Sequence, residues 1–185
     1  AKVVIILAVA GILLSESMEQ THRPPLLDRL ASGAMGPAVP LFLLALMLTA
    51  LAYANTWSSP FQFDDIHSIA DNSWIRSFKN IPAFFTDVSA FSPLEENRSY
   101  RPILLITYTI AYWLGGGATW AFHLVNALFH VGDAVLVGLI TQRLLVSDDI
   151  DTKVSLRAAG WATALFSVHP MLSEPVNYIS AGSSL

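Results

Sequence analysis

From Leu30 to Phe63 the chain carries no charged residue, and within that stretch Ala38–Trp57 is almost wholly apolar. Twenty residues at a helical rise of about 1.5 Å reach about 30 Å, the hydrocarbon thickness of a bilayer. Pro40 falls near the start, where a missing amide costs little. Tyr53 and Trp57 suit an interfacial belt at the far end. The rest of the chain agrees: 54% of its 185 residues are hydrophobic, only 13% are charged, and mean hydropathy is +0.52. A typical soluble domain has roughly 25% charged residues. An all-α membrane protein is the fold class these features predict.

The other exclusions are short. Formal charge is −4 with no basic block, so there is no electrostatic footprint for nucleic acid. There is no cysteine, which removes disulfide scaffolds and thiolate metal sites.

About three transmembrane helices are expected, with interfacial helices between the first two. The first covers 38–57. The second covers 119–146, where Asp133 and Arg143 are the only charged residues and Arg143 is near enough to the end to snorkel. The third is the shorter run Val154–Pro170, most of it in a C-terminal segment 157–185 that adds an outer turn and the start of a next helix. Val3–Leu14 is too short to span and resembles a signal-peptide core, an interfacial helix or the remnant of a span. It belongs to an N-terminal segment, 1–37, that ends in a cytoplasmic linker. Ile103–Leu114, rich in Tyr and Trp and closed by Gly115-Gly116-Gly117, reads as a helix lying at the interface.

Basic residues set the orientation. Arg23 and Arg29 precede the first span, and Arg143, Lys153 and Arg157 cluster around a 147–156 loop. These segments are expected on the cytoplasmic side, with the 58–118 loop outside. Integral membrane localisation follows, in the cytoplasmic membrane if the source is bacterial.

Several polar groups then stand out. Asp64 and Asp65 are adjacent carboxylates directly after Phe61-Gln62-Phe63, just beyond the first span. They suit a general base or a cation site, although an ordinary Asx turn or helix N-cap is the commoner use of such residues. Asn72 carries no signal of its own. His123, Asn126, His130 and Asp133 fall at about 0°, 300°, 340° and 280° around a helix, one polar stripe that must avoid lipid. The stripe suits either interhelical hydrogen bonding or a polar cavity. Arg101, ahead of Pro102 at a helix start, is placed to grip an anionic head group or simply to snorkel. After His169-Pro170, Ser173 is expected to N-cap a helix that begins Glu174-Pro175.

In order, Phe63-Asp64-Asp65, Tyr100-Arg101-Pro102, Phe122-His123-Leu124-Val125-Asn126 with His130, and Leu165–Pro170 with Glu174–Ser180 resemble the start of a C-type (integral membrane) glycosyltransferase. The nearest branch is the protein O-mannosyltransferase-like group that carries tetratricopeptide repeats. That resemblance implies a larger polytopic fold, of which this is a fragment. It also implies a sugar donor linked to polyprenyl phosphate and a catalytic acidic residue in the first outer loop.

On that basis Asp64 and Asp65 are the catalytic candidates, and Arg101 and His169 the donor-phosphate candidates. His123, Asn126, His130, Asp133, Glu174 and Asn177 are in support. No metal ligand set is assigned, and no cofactor is firm, although a carboxylate pair leaves room for a divalent cation. The partners implied are membrane lipid, the polyprenyl-phosphate sugar and other membrane subunits, with no nucleic acid.

The family's pattern departs at Gly182, where an Arg usually follows, and the sequence ends where a next span would begin. Two readings stay open. One is part of a transferase that is inactive as this fragment alone. The other is a truncated, non-catalytic accessory subunit packed in a larger membrane complex.

Overall fold

A computed structural model describes residues 37–147 and 151–183. The Val3–Leu14 run, the basic residues Arg23 and Arg29, and part of the acidic turn before Asp151 lie outside those residues. Regular structure among the described residues is entirely helical: α1 (Ala38–Ala52), α2 (Ile81–Phe84), α3 (Pro102–Gly115), α4 (Thr119–Ser147), α5 (Thr152–Ser167) and α6 (Ser173–Asn177), joined by short 3-10 turns and one π-helical turn at Ile66–Ala70.

The first expected span is shorter as a helix than its apolar run. α1 has 15 residues, about 22 Å at helical rise. Beyond Ala52 the chain tightens into 3-10 turns, with Thr56 N–H bonded to Tyr53 O and Ser59 N–H to Thr56 O. The cause is local. Asn55, Thr56, Ser58 and Ser59 offer side chains that compete for backbone groups, and Pro60 cannot continue a helix. α4 matches its expectation closely. Its Thr119–Leu145 portion is, among the described residues, the one helix long and apolar enough to cross a membrane, whereas α1 and α3 are apolar but shorter.

The chain divides into two units. Of the described residues, one unit takes those up to Leu48 together with Val131–His169. Its core is Ala45, Val131 and Ala134, backed by Val135 and Phe166. Small residues allow close helix approach here. A Cβ on Gly138 of α4 would collide with Thr163 Oγ1 of α5, and would also press on Leu41 of α1 and the Ala159 carbonyl. Asp151 caps α5, its carboxylate accepting the N–H groups of Lys153 at 2.8 Å and Val154 at 3.3 Å.

The other unit is formed by Thr49–His130 and Pro170–Ser183. What reads in sequence as an outer loop has a hydrophobic core of its own, with Ile69, Ile75, Phe84, Phe91, Leu105, Tyr108, Phe122 and Ile179 all buried. Each such side chain contributes about 1.5–3 kcal/mol of burial, enough to order a segment built from very short turns. α3 supplies one wall of this core. It starts on Pro102, whose fixed φ and absent N–H suit a first turn, and it stops at Gly116, which takes the left-handed conformation at φ 59°.

Asn72, unremarkable in the sequence, is buried inside this unit. Its side-chain nitrogen donates toward the carbonyls of Ser68, Ala90 and Phe91 at 3.1, 2.9 and 3.1 Å. Its Oδ1 accepts Trp74 N–H at 2.9 Å. The far end differs from expectation too. Ser173 is the first residue of α6 rather than its cap, and its hydroxyl donates back to Pro170 O at 2.7 Å.

Candidate functional site

The two adjacent carboxylates have opposite environments. Asp65 is 1% exposed. Its Oδ2 accepts the N–H of Gln62 at 3.1 Å and its Oδ1 that of Ser180 at 2.8 Å. The first bond closes a tight local turn, since Asp65 N–H also bonds the Gln62 backbone carbonyl at 2.9 Å. The second reaches a segment far along the chain. Asp65 therefore sits as a buried structural acceptor.

Asp64 faces outward, its side chain 69% exposed. Its backbone is held on both sides: the N–H donates to the Tyr178 hydroxyl at 3.0 Å, and the carbonyl accepts from Ser68 Oγ at 2.6 Å. Nε2 of His67, one helical turn on, lies 3.5 Å from Asp64 Oδ1. Phe63, immediately before, has φ 43°, an uncommon value for a bulky residue and a place where strain is stored. The residue is 81% exposed, and its ring meets that of Tyr178 edge-on at 6.4 Å. The result is a fixed turn that presents a carboxylate and an aromatic ring side by side.

Arg101 is exposed at the start of α3, with its guanidinium over the Phe91 ring at 5.5 Å. The His67 ring packs edge-on against that same Phe91 at 6.5 Å. Tyr108 is buried next to Asp65, Arg101 and Ser68, and burial pushes its phenol above the usual range, so it stays neutral.

Three members of the polar stripe are buried in this unit, each tied to another segment. His123 donates from Nε2 to Ser59 O at 3.3 Å, and Asn126 donates from its amide to Ile179 O at 3.3 Å. His130 stands edge-on to Tyr53 at 5.5 Å. Of the remaining candidates here, Glu174 and Asn177 are exposed, and Asn177 Oδ1 accepts from Thr56 Oγ1. Asp133, half-buried on α4, and His169, exposed just past α5, belong to the other unit. Among the described residues no three His, Asp or Glu side chains gather as a metal centre would need.

Sequence reasoning missed His67, Tyr178 and Ser180. His67 was open to discovery, because an Asp and a His three residues apart on a helix are neighbours. Tyr178 and Ser180 lie in the motif that carries the resemblance, but their partners are more than a hundred residues away in sequence, so nothing local assigns them a role.

Comparison with known proteins supplies the family context. The chain is 34% identical over 140 residues, 70% of its length, to protein O-mannosyl-transferase Tmtc2 of Drosophila melanogaster, of which it covers 13%. It is 28% identical over 145 residues, 77% of its length, to protein O-mannosyl-transferase TMTC3 of Mus musculus, covering 15% of that protein. Over 159 residues, 81% of its length, it is 28% identical to protein O-mannosyl-transferase TMTC4 of Homo sapiens, covering 22%. The chain thus spans less than a quarter of the length of each of these relatives. No family model and no solved structure matches it.

Proposed function

From the premise that this chain is a relative of the protein O-mannosyl-transferases, we propose that it forms part of a membrane glycosyltransferase moving a sugar from a polyprenyl-phosphate carrier to a hydroxyl acceptor. The relatives' names make mannose the first sugar to test. In this reading 38–57, 119–146 and the run ending at Pro170 cross the membrane, 58–118 lies on the non-cytoplasmic side, and 147–156 is cytoplasmic.

The observation that carries the reading is the contrast between the two carboxylates. Asp65 is occupied by two backbone N–H groups, whereas Asp64 is exposed on a turn whose backbone is pinned. A general base must reach the proton it removes, and only Asp64 is accessible to a substrate hydroxyl. Asp64 takes that proton, the acceptor oxygen attacks the anomeric carbon, and the bond to the carrier phosphate breaks with its electron pair leaving on phosphate. Arg101 supplies a fixed positive charge for the phosphate in both ground and transition states.

The test uses the natural gene product carrying this segment, reconstituted with a mannosyl polyprenyl phosphate and a hydroxyl acceptor peptide. Asp64→Asn keeps the shape and removes the base, so turnover should fall by roughly two to four orders of magnitude with little change in substrate affinity. Arg101→Ala should weaken donor binding as well, raising KM for the donor. A non-catalytic accessory role instead requires Asp64→Asn to be silent, and normal turnover in that variant rejects the catalytic assignment.

A further inference from the structure

We propose that His67 is the positioning residue of Asp64, donating from Nε2 to Asp64 Oδ1 so that Oδ2 is aimed at the acceptor hydroxyl. This inference rests on Asp64 being the base.

Both ring nitrogens of His67 are buried and neither makes a hydrogen bond, while the side chain is only 12% exposed. Native proteins seldom leave buried polar groups unsatisfied, and each exception calls for an explanation. The Asp64 carboxylate stands beside this ring, its Oδ1 3.5 Å from Nε2. That separation is beyond good hydrogen-bond length. It is also the one distance here that is free to change. The Asp64 backbone is pinned by Tyr178 and Ser68, and the imidazole is seated against the buried Phe91 ring. Only the side-chain torsions of Asp64 remain to be set, and rotating its carboxylate toward His67 closes the gap. Catalytic hydrogen bonds are often long in the free enzyme and tighten in the transition-state complex.

The orphaned imidazole therefore has a use. A carboxylate that is mostly exposed samples many orientations, whereas one held through Oδ1 presents Oδ2 in a single direction. In the transfer step the acceptor O–H bond breaks and its proton passes to Asp64 Oδ2. The acceptor oxygen forms the new bond to the anomeric carbon, and the old sugar–phosphate electron pair leaves on phosphate. His67 keeps its own proton throughout.

His67→Phe preserves the ring packed on Phe91 and removes the donor, while His67→Gln restores a side-chain N–H at similar reach. In the natural gene product, assayed with mannosyl polyprenyl phosphate, His67→Phe should lower kcat by about 10- to 100-fold, the scale of a misplaced catalytic group. KM for donor and acceptor and the melting temperature should be unchanged. His67→Gln should recover most of the turnover and, should the Phe variant fold poorly, gives the same reading by comparison with His67→Ala. Adding His67→Phe to Asp64→Asn should cost nothing further. Normal kcat in His67→Phe, no rescue by Gln, or an equal loss on the Asp64→Asn background would each overturn the assignment. The two readings separate cleanly: a fully active Asp64→Asn rejects the base, whereas an inactive Asp64→Asn with a fully active His67→Phe rejects His67 alone.

Discussion

The Asp65 carboxylate accepts the backbone N–H of Ser180 at 2.8 Å, a bond between residues 115 apart in sequence, while its other oxygen accepts from Gln62. Replacing Asp65 by Ala removes the acceptor for both groups, one of them fully inside the fold. Hydrogen bonds to a charged partner are worth about 1.5–3 kcal/mol each, so the variant should lose about 3 kcal/mol or more of stability. Asp64→Ala, at an exposed position, should lie within about 0.5 kcal/mol of wild type. Thermal unfolding of the two variants in the same detergent checks this. Equal stabilities would mean that Asp65 does not hold the two segments together.

Asn72 makes a second separable prediction. Its amide faces the carbonyls of Ser68, Ala90 and Phe91, and its Oδ1 takes Trp74 N–H. Asn72→Asp is nearly isosteric but replaces the donor that faces three carbonyl acceptors with another acceptor. A carboxylate has no hydrogen to offer them, so burial is paired with repulsion. Asn72→Asp should therefore destabilise more than Asn72→Ala at neutral pH, by about 1–3 kcal/mol beyond it. Acidifying to protonate the new carboxyl should narrow the gap, because the neutral acid regains one donor. A melt series from neutral to acidic pH reads both effects.

In the unit built from α1, α4 and α5, Gly138 is where the helices have no room for a side chain. Even a methyl group there meets Thr163 Oγ1, and it also crowds Leu41 and the Ala159 carbonyl. Gly to Ala in a helix ordinarily gains up to about 1 kcal/mol. Here overpacking costs typically 1–3 kcal/mol and reverses the sign. Gly132, whose Cβ would meet nothing within 4 Å, is the internal control and should show the ordinary gain. Paired melting temperatures for Gly132→Ala and Gly138→Ala give the comparison. Stabilisation by both would remove the close packing assigned to Gly138.

How much of this was legible in the sequence depends on the range of the interaction. α3 and α4 were readable because an apolar run closed by three glycines, and a long stretch with two charges, are local signals. The buried positions of His123, Asn126 and His130 followed from helical angle alone; Asp133, on the same stripe, is only half-buried. α1 came out shorter because hydropathy counts Tyr53–Trp57 as apolar while the polar residues around Asn55 turn the backbone. The adjacent pair Asp64 and Asp65 was not separable in sequence. Their difference lies in Ser180 and Tyr178, which only the folded chain brings near. The internal core of 58–118 was hidden for a similar reason, since turns of three to five residues are too short to display a period.

The last prediction concerns sidedness. Thr56 bonds Asn177, Asp65 bonds Ser180, and Asp64 bonds Tyr178, so the stretch after α1 and the stretch after α5 are packed on each other. Segments in contact share one side of a membrane. Between them the chain must therefore cross an even number of times, which the proposed passage inward through α4 and back outward through α5 satisfies. Glu96 and Met171 are both exposed in this unit. Since the natural sequence has no cysteine here, Glu96→Cys and Met171→Cys each introduce a unique thiol in this segment. In sealed vesicles an impermeant maleimide should label both from the same face and neither from the other until the membrane is opened. Labelling of the two positions from opposite faces would break the pairing of these segments, and with it the proposed inward and outward passage of α4 and α5.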